Sequence, residues 1–207
     1  MYKEISIIDY GLGNILSLKN SLEHLGYKVN LYSEKKKKLS HLYFIPGVGS
    51  FKKAMQLIRD KKIDTFINKL VEKNIPIVGI CLGMQILGSW GYEEGKTKGL
   101  GLLDISTKKL LLKNKKFKLP NIGWKNVEFV NSKNSFFKKF NKKKFYFVHS
   151  YAVQKIDKKF VLANTTYGGS NFISALMKNK LIGFQFHPEK SGEIGLRLLQ
   201  TTIKEII

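Results

Sequence analysis

A chain of 207 residues with 43% hydrophobic content is long enough for one domain with a sizeable core, and no apolar run in it approaches the ~20 residues of a membrane-crossing helix. Its 37 basic against 15 acidic residues give a formal charge of +22, yet Arg59 and Arg197 are the only arginines, so the forks that read phosphates and bases are scarce. The lysines gather at 35–38, 113–116 and 142–144, between apolar segments where loops are expected; this argues against nucleic acid as the main partner and suits an acidic partner or a phosphorylated metabolite.

In chain order, the first half alternates strand and helix. A strand is predicted over Ile5–Asp9 and a helix over Asn14–Leu25. Strands over Lys28–Tyr32 and Leu42–Ile45 come next, then a helical stretch from Phe51 to Val71 and a strand over Ile75–Ile80. That alternation predicts an α/β fold, a central and mostly parallel sheet covered by helices on both faces. The second half reads as shorter strands: Ser106–Lys109, Asn126–Val130, Phe145–His149, Phe160–Asn164 and Phe172–Met177. These suit a smaller antiparallel sheet, before a last amphipathic helix over Gly192–Lys204. No repeat, linker or low-complexity segment divides the chain. One cysteine excludes an internal disulfide, no cationic and apolar leader precedes the first strand, and the expected compartment is the cytoplasm.

The run Pro76-Ile-Val-Gly-Ile-Cys-Leu-Gly-Met-Gln85 carries the chemistry. A β-branched segment stops at Gly79-Ile80-Cys81-Leu82-Gly83, and a helix is predicted over Met84–Ser89. This is the strand-to-helix elbow that lifts a nucleophile above the carboxyl end of a parallel sheet. Small neighbours let the backbone turn sharply, and the helix N-terminus favours thiolate over thiol. A free cysteine is ordinarily a small buried hydrophobe, so a nucleophile here needs a base and a group that orients the base. A strand predicted over Leu181–Phe186 runs straight into His187-Pro188-Glu189-Lys190, a proline-fixed turn able to aim the imidazole and the carboxylate into one cleft.

Gly79-Ile-Cys-Leu-Gly-Met-Gln85 together with His187-Pro-Glu189 resembles the class I, or triad-type, glutamine amidotransferases. Six further segments narrow the resemblance to the glutaminase subunits of imidazole glycerol phosphate synthase: Ile8-Asp-Tyr-Gly-Leu-Gly-Asn14, Pro46-Gly-Val-Gly-Ser-Phe51, Gly99-Leu-Gly-Leu102, Asn121-Ile-Gly-Trp124, Tyr146-Phe-Val-His-Ser-Tyr151 and Gln185-Phe-His-Pro-Glu-Lys-Ser-Gly192. The resemblance spans almost the whole chain. It implies one amidotransferase domain over residues 1–207 with a flavodoxin-like fold, and it calls for no cofactor or metal.

By that resemblance Cys81 attacks the side-chain amide of glutamine, His187 serves as acid and then base, and Glu189 holds the imidazole. Leu82 N–H and the loop of Gly47, Val48 and Gly49 supply the oxyanion donors, while Gln85, His149, Ser150 and Tyr151 grip the substrate. Lys190 would face a partner subunit. Tyr10, Asn14 and Trp124 suit an interface or the core equally. The implied partner is a (β/α)₈ barrel cyclase, forming a heterodimer that takes the ammonia into imidazole glycerol phosphate and an aminoimidazole carboxamide ribonucleotide. Pro120-Asn-Ile-Gly-Trp-Lys125 and Gly88-Ser-Trp-Gly-Tyr-Glu-Glu94 depart from the usual pattern. They leave open a paralogue that feeds a sugar amidotransferase in surface-glycan biosynthesis.

Overall fold

Side chains alternate across a strand, and here the alternation sorts the core into two layers. In the computed structural model, which describes residues 4–32, 39–130 and 135–207, Leu42, Phe44, Val78 and Ile80 join one buried cluster while Tyr43, Ile45 and Ile77 join another. Each layer needs a cover. The first cluster packs under α1 (Ile15–His24) and a C-terminal helix through Leu18, Leu22, Leu198, Leu199 and Ile203. The second packs under two helices through Phe51, Met55, Ile58, Ile63, Ile67 and Leu70. Burying a side chain such as Phe44 in this way stabilises the fold by roughly 1.5–3 kcal/mol.

The first half runs β1 (Glu4–Ile7), α1, β2 (Lys28–Leu31), β3 (Leu42–Gly47), α2 (Phe51–Asp60), α3 (Ile63–Glu72), β4 (Ile77–Cys81) and α4 (Leu82–Ile86). The strands β5 (Gly88–Gly91), β6 (Thr97–Lys98), β7 (Leu103–Lys109), β8 (Asn121–Phe129), β9 (Lys143–His149) and β10 (Tyr151–Val153) come next. They are followed by β11 (Val161–Tyr167), β12 (Ser170–Lys178), β13 (Leu181–Phe184) and the closing helix α5 (Gly192–Ile206). The main sheet has the order β2-β1-β3-β4-β13-β12-β11-β8-β9. Its first five strands are parallel, and β12, β11, β8 and β9 extend it antiparallel. A smaller sheet of order β10-β7-β5-β6 stands beside it, with β5 and β7 parallel and the other pairs antiparallel. The α/β architecture is therefore the expected one, although most of the late strands enlarge the main sheet.

Three expectations are corrected. The stretch Phe51–Val71 is two helices, because the apolar positions 51, 54, 55, 58 are followed by 63, 67, 70. The five-residue gap places Lys61 and Lys62 where an apolar residue would continue the face, and Lys62 turns left-handed at φ 52°. The helix after Cys81 stops at Ile86, not Ser89, because Gly88 opens β5 against β7. A methyl group on Gly88 would lie 2.9 Å from the Ile105 carbonyl oxygen. Lys113–Lys116 lie in a loop as expected, but Lys143 and Lys144 begin β9, and residues 35–38 fall outside the described segments.

Candidate active site

The nucleophile position is built by close backbone packing. Cys81 ends β4 at φ 55°, ψ −112°, a strained conformation for a residue with a Cβ, and α4 starts at the next residue. The helix folds back tightly enough that a methyl on Gly83 would run into the Ile45 carbonyl, and one on Gly79 would lie 2.6 Å from the Gly83 carbonyl oxygen. Glycine at 79 and 83 is thus what lets the elbow form. Cys81 is 5% exposed and lines a cavity of about 320 Å³.

Past the end of β13, His187 donates its backbone N–H to Tyr146 O at 2.8 Å, and Pro188 opens a single 3-10 turn that ends at Lys190. Ser191 Oγ donates to His187 O at 2.7 Å and accepts from Tyr146 N at 3.0 Å, which locks the turn to β9. The result holds His187 Nδ1 at 2.7 Å from Glu189 Oε1, with both side chains about 2% exposed. Burial pulls the His187 pKa down. The Cys81 sulfur and the Glu189 carboxylate outweigh it and raise the pKa to about 10. His187 Nε2 has no partner in hydrogen-bond geometry, so the proton it carries is available to a group placed between the imidazole and the sulfur.

The residues expected to hold substrate are distributed around the same cavity. Val48, Gly49, Leu82, Gln85, His149, Ser150 and Tyr151 all line it, and so does Lys190. Gly47 is tightly packed: a methyl group there would run into the Tyr10 hydroxyl and press on Leu82 and Gly83 N, so there is no room for a side chain. Gly49, at φ 106°, has open space where a Cβ would stand, so the loop is packed at one glycine and open at the other. Gln85 Nε2 donates to Tyr151 O at 2.8 Å and to Gln185 Oε1 at 3.0 Å. His149 Nδ1 also lies 3.0 Å from Tyr151 O, and its Nε2 lies 3.1 Å from Asn121 Nδ2. A carbonyl can only accept, so Nδ1 carries the proton and Nε2 accepts from the amide. His149 is therefore a neutral strut for the Tyr151 carbonyl.

Sequence reasoning missed Glu93, Val148 and Gln185. Glu93 lines the cavity from the loop after β5, accepts the Phe51 backbone N–H at 2.9 Å, and has its pKa raised mainly by burial. Gln185 Nε2 reaches Cys81 Sγ at 3.7 Å. Of the aromatic and amide positions left open between interface and core, Tyr10 is wholly buried, Asn14 caps α1 by accepting Ser17 N–H, and Trp124 is 57% exposed beside Tyr146. A larger cavity of about 550 Å³ lies against β7 and the segment after β10, away from Cys81. Among the described residues no cluster of His, Cys, Asp and Glu is arranged to hold a metal, and no helix is long and apolar enough to cross a membrane.

Residues 6–205 match the family model described as glutamine amidotransferase class-I. The chain belongs to the class-I glutamine amidotransferases. Among its relatives, imidazole glycerol phosphate synthase subunit HisH of Carboxydothermus hydrogenoformans is 40% identical over 94% of this amidotransferase and 96% of its own length. Subunit HisH 2 of Methanococcus maripaludis is 40% identical over 97% and 99%. Solved structures agree in fold. One entitled "Structure of PurLQS from Thermotoga maritima" aligns over 100% of both chains with a TM-score of 0.73 at 23% identity. Another, a "glutamine amidotransferase", gives 0.74 over 97% of each at 18% identity.

The buried His149 of this amidotransferase predicts an acid-side stability loss. Burial lowers its folded pKa to about 4, from 6.5. The unfolded chain therefore binds a proton that the folded chain refuses between those values, and stability is whole above about 6.5 and falls as pH drops toward 4. The slope is about 1.4 kcal/mol per pH unit and the total about 3 kcal/mol. Urea unfolding at pH 6.5, 5.5 and 4.5 is expected to show it, and to show a flatter dependence in His149→Gln, which keeps a donor and an acceptor but does not titrate.

Proposed function

We propose that this chain is the glutaminase subunit of an imidazole glycerol phosphate synthase. The observation that carries the reading is the juxtaposition of a strained, helix-capping Cys81 with a His187–Glu189 pair whose imidazole favours the protonated form. Cys81 Sγ attacks the side-chain amide carbon of glutamine, forming the C–S bond and a tetrahedral oxyanion. His187 Nε2 gives its proton to the departing nitrogen as the C–N bond breaks, releasing ammonia. A water then attacks the γ-glutamyl thioester, His187 takes its proton, and the C–S bond breaks to give glutamate and the thiolate. Glu189 keeps Nδ1 protonated and the ring aimed throughout.

The oxyanion needs donors beside Cys81. Leu82 N–H, at the start of α4, is the first, and the loop of Gly47, Val48 and Gly49 supplies the second; each is worth roughly 3–4 kcal/mol of barrier. Gln85, Ser150 and Tyr151 hold the glutamine, His149 acts through the Tyr151 carbonyl that it positions, and Glu93 is the acceptor for the α-ammonium group. Ammonia in neutral water is protonated and no longer a nucleophile, so a synthase must dock over the cavity. Trp124 and Lys190 are exposed for such a partner. A barrel cyclase is the partner we assign. The HisH names of relatives about 40% identical across the whole length favour it over a sugar amidotransferase.

Glutamate release measured for the chain alone, with barrel cyclase, and with cyclase plus its nucleotide ligand tests this. The Gly49 end of the loop is free to reorient, so activity is expected to rise about 10²–10³-fold in the third condition. Full activity of the isolated chain contradicts the coupling, and activation by a sugar amidotransferase alone moves the function to the surface-glycan branch.

A further inference from the structure

We propose that Gln185 is a further catalytic residue: its side-chain amide N–H donates to Cys81 Sγ and holds the nucleophile as a thiolate. The proposal rests on the reading of Cys81 as the nucleophile. The geometry is a short chain of side-chain amides. Gln85 Nε2 donates to Tyr151 O at 2.8 Å and to Gln185 Oε1 at 3.0 Å, and Gln185 Nε2 lies 3.7 Å from the sulfur.

The polarity of that chain is fixed at its far end. Tyr151 O is a backbone carbonyl and can only accept, and it accepts from Gln85 and from His149 Nδ1. Gln85 must therefore present its nitrogen there, and the second hydrogen of the same nitrogen goes to Gln185. Gln185 must answer with its oxygen. Its NH₂ group is thereby turned toward Cys81, and the reversed amide, which would set an oxygen against the thiolate, is excluded.

The other neighbour of the sulfur acts the opposite way. Val148 O lies 4.0 Å from Sγ and accepts only from the thiol form, so on its own it favours S–H. Gln185 N–H favours S⁻. Gln185 is wholly buried, and Cys81 is 5% exposed, so water does not substitute for the amide once it is removed. A hydrogen bond to a charged partner in such a place is among the stronger ones. His187 supplies charge to the thiolate from one direction and Gln185 supplies a neutral, non-titrating donor from another, before the attack on glutamine and again when the C–S bond breaks.

The test is the pH profile of Cys81 alkylation by iodoacetamide in the wild type and in Gln185→Met, which keeps length and loses the donor. The midpoint is expected to rise by about one pH unit, a tenfold loss of rate on the acid limb. An unchanged midpoint in a folded Gln185→Met protein overturns the proposal. If that variant does not fold, the side-chain amide proton of Gln185 is followed by NMR in the ¹⁵N-labelled wild type. Its shift is expected to titrate with the Cys81 midpoint, and a flat response overturns the proposal. Neither readout requires glutamine turnover, so a chain that fails to hydrolyse glutamine refutes the proposed function while these profiles still decide Gln185.

Discussion

Cys81→Ala is expected to abolish glutamine hydrolysis, by about 10⁴-fold or more, and to leave the fold intact. The sulfur is the atom that forms the thioester, and no other cysteine exists in the chain to replace it. Alanine tolerates the φ 55° conformation about as well as cysteine does, and the residue lies where the packed layer borders the cavity, so the loss of one sulfur leaves the surrounding core in place. The melting temperature should therefore move little. A complex with the synthase subunit should still make product from added ammonium at raised pH, because only ammonia production is lost. Glutamine-dependent turnover that persists in the mutant sinks the triad assignment.

His187→Ala is expected to cost nearly as much activity, because nucleophile and base act as a unit. It also strands Glu189, whose Oε1 loses its 2.7 Å partner and whose Oε2 already has none. A buried carboxylate left alone costs several kcal/mol, so the alanine variant should melt well below the wild type. His187→Gln separates the two effects, since its amide donates to Glu189 but cannot exchange a proton. Both variants should be inactive and only the alanine strongly destabilised. The wild type should in turn lose stability in alkali. The folded pKa near 10 lies above the unfolded 6.5, so the imidazolium's contribution is whole below about 6.5 and is lost as pH rises to about 10. Urea midpoints of the three proteins at pH 6.5 and 9.5 read all of this.

The elbow and the His-Pro-Glu turn were legible because each is a local device. Glycines at 79 and 83 and a proline at 188 fix backbone geometry within a few residues, whatever the rest of the chain does. The strand over Leu42–Ile45 was legible as a local apolar run, but which of its side chains faces which layer was not. What the sequence hid depends on distant partners. Glu93 reads as a charged loop residue until β5 brings it to the N-terminus of α2, and Gln185 reads as a polar strand residue until Gln85, a hundred positions earlier, turns its amide toward the sulfur. The break between α2 and α3 was visible in the five-residue gap from Ile58 to Ile63, but a lysine pair on a predominantly helical stretch does not announce a left-handed residue. Tyr10 was undecided between surface and core because a phenol suits both; only packing against Gly47 resolves it.

The central claim, that Cys81 is a glutamine-directed thiolate sustained by His187, is tested most directly by covalent labelling with a glutamine-derived electrophile, read by peptide mass and by rate. One label per chain is expected, on Cys81, with glutamine protecting against it and His187→Ala slowing it by orders of magnitude because the thiolate loses its imidazolium neighbour. Label on another residue, or equal rates in the wild type and His187→Ala, contradicts it.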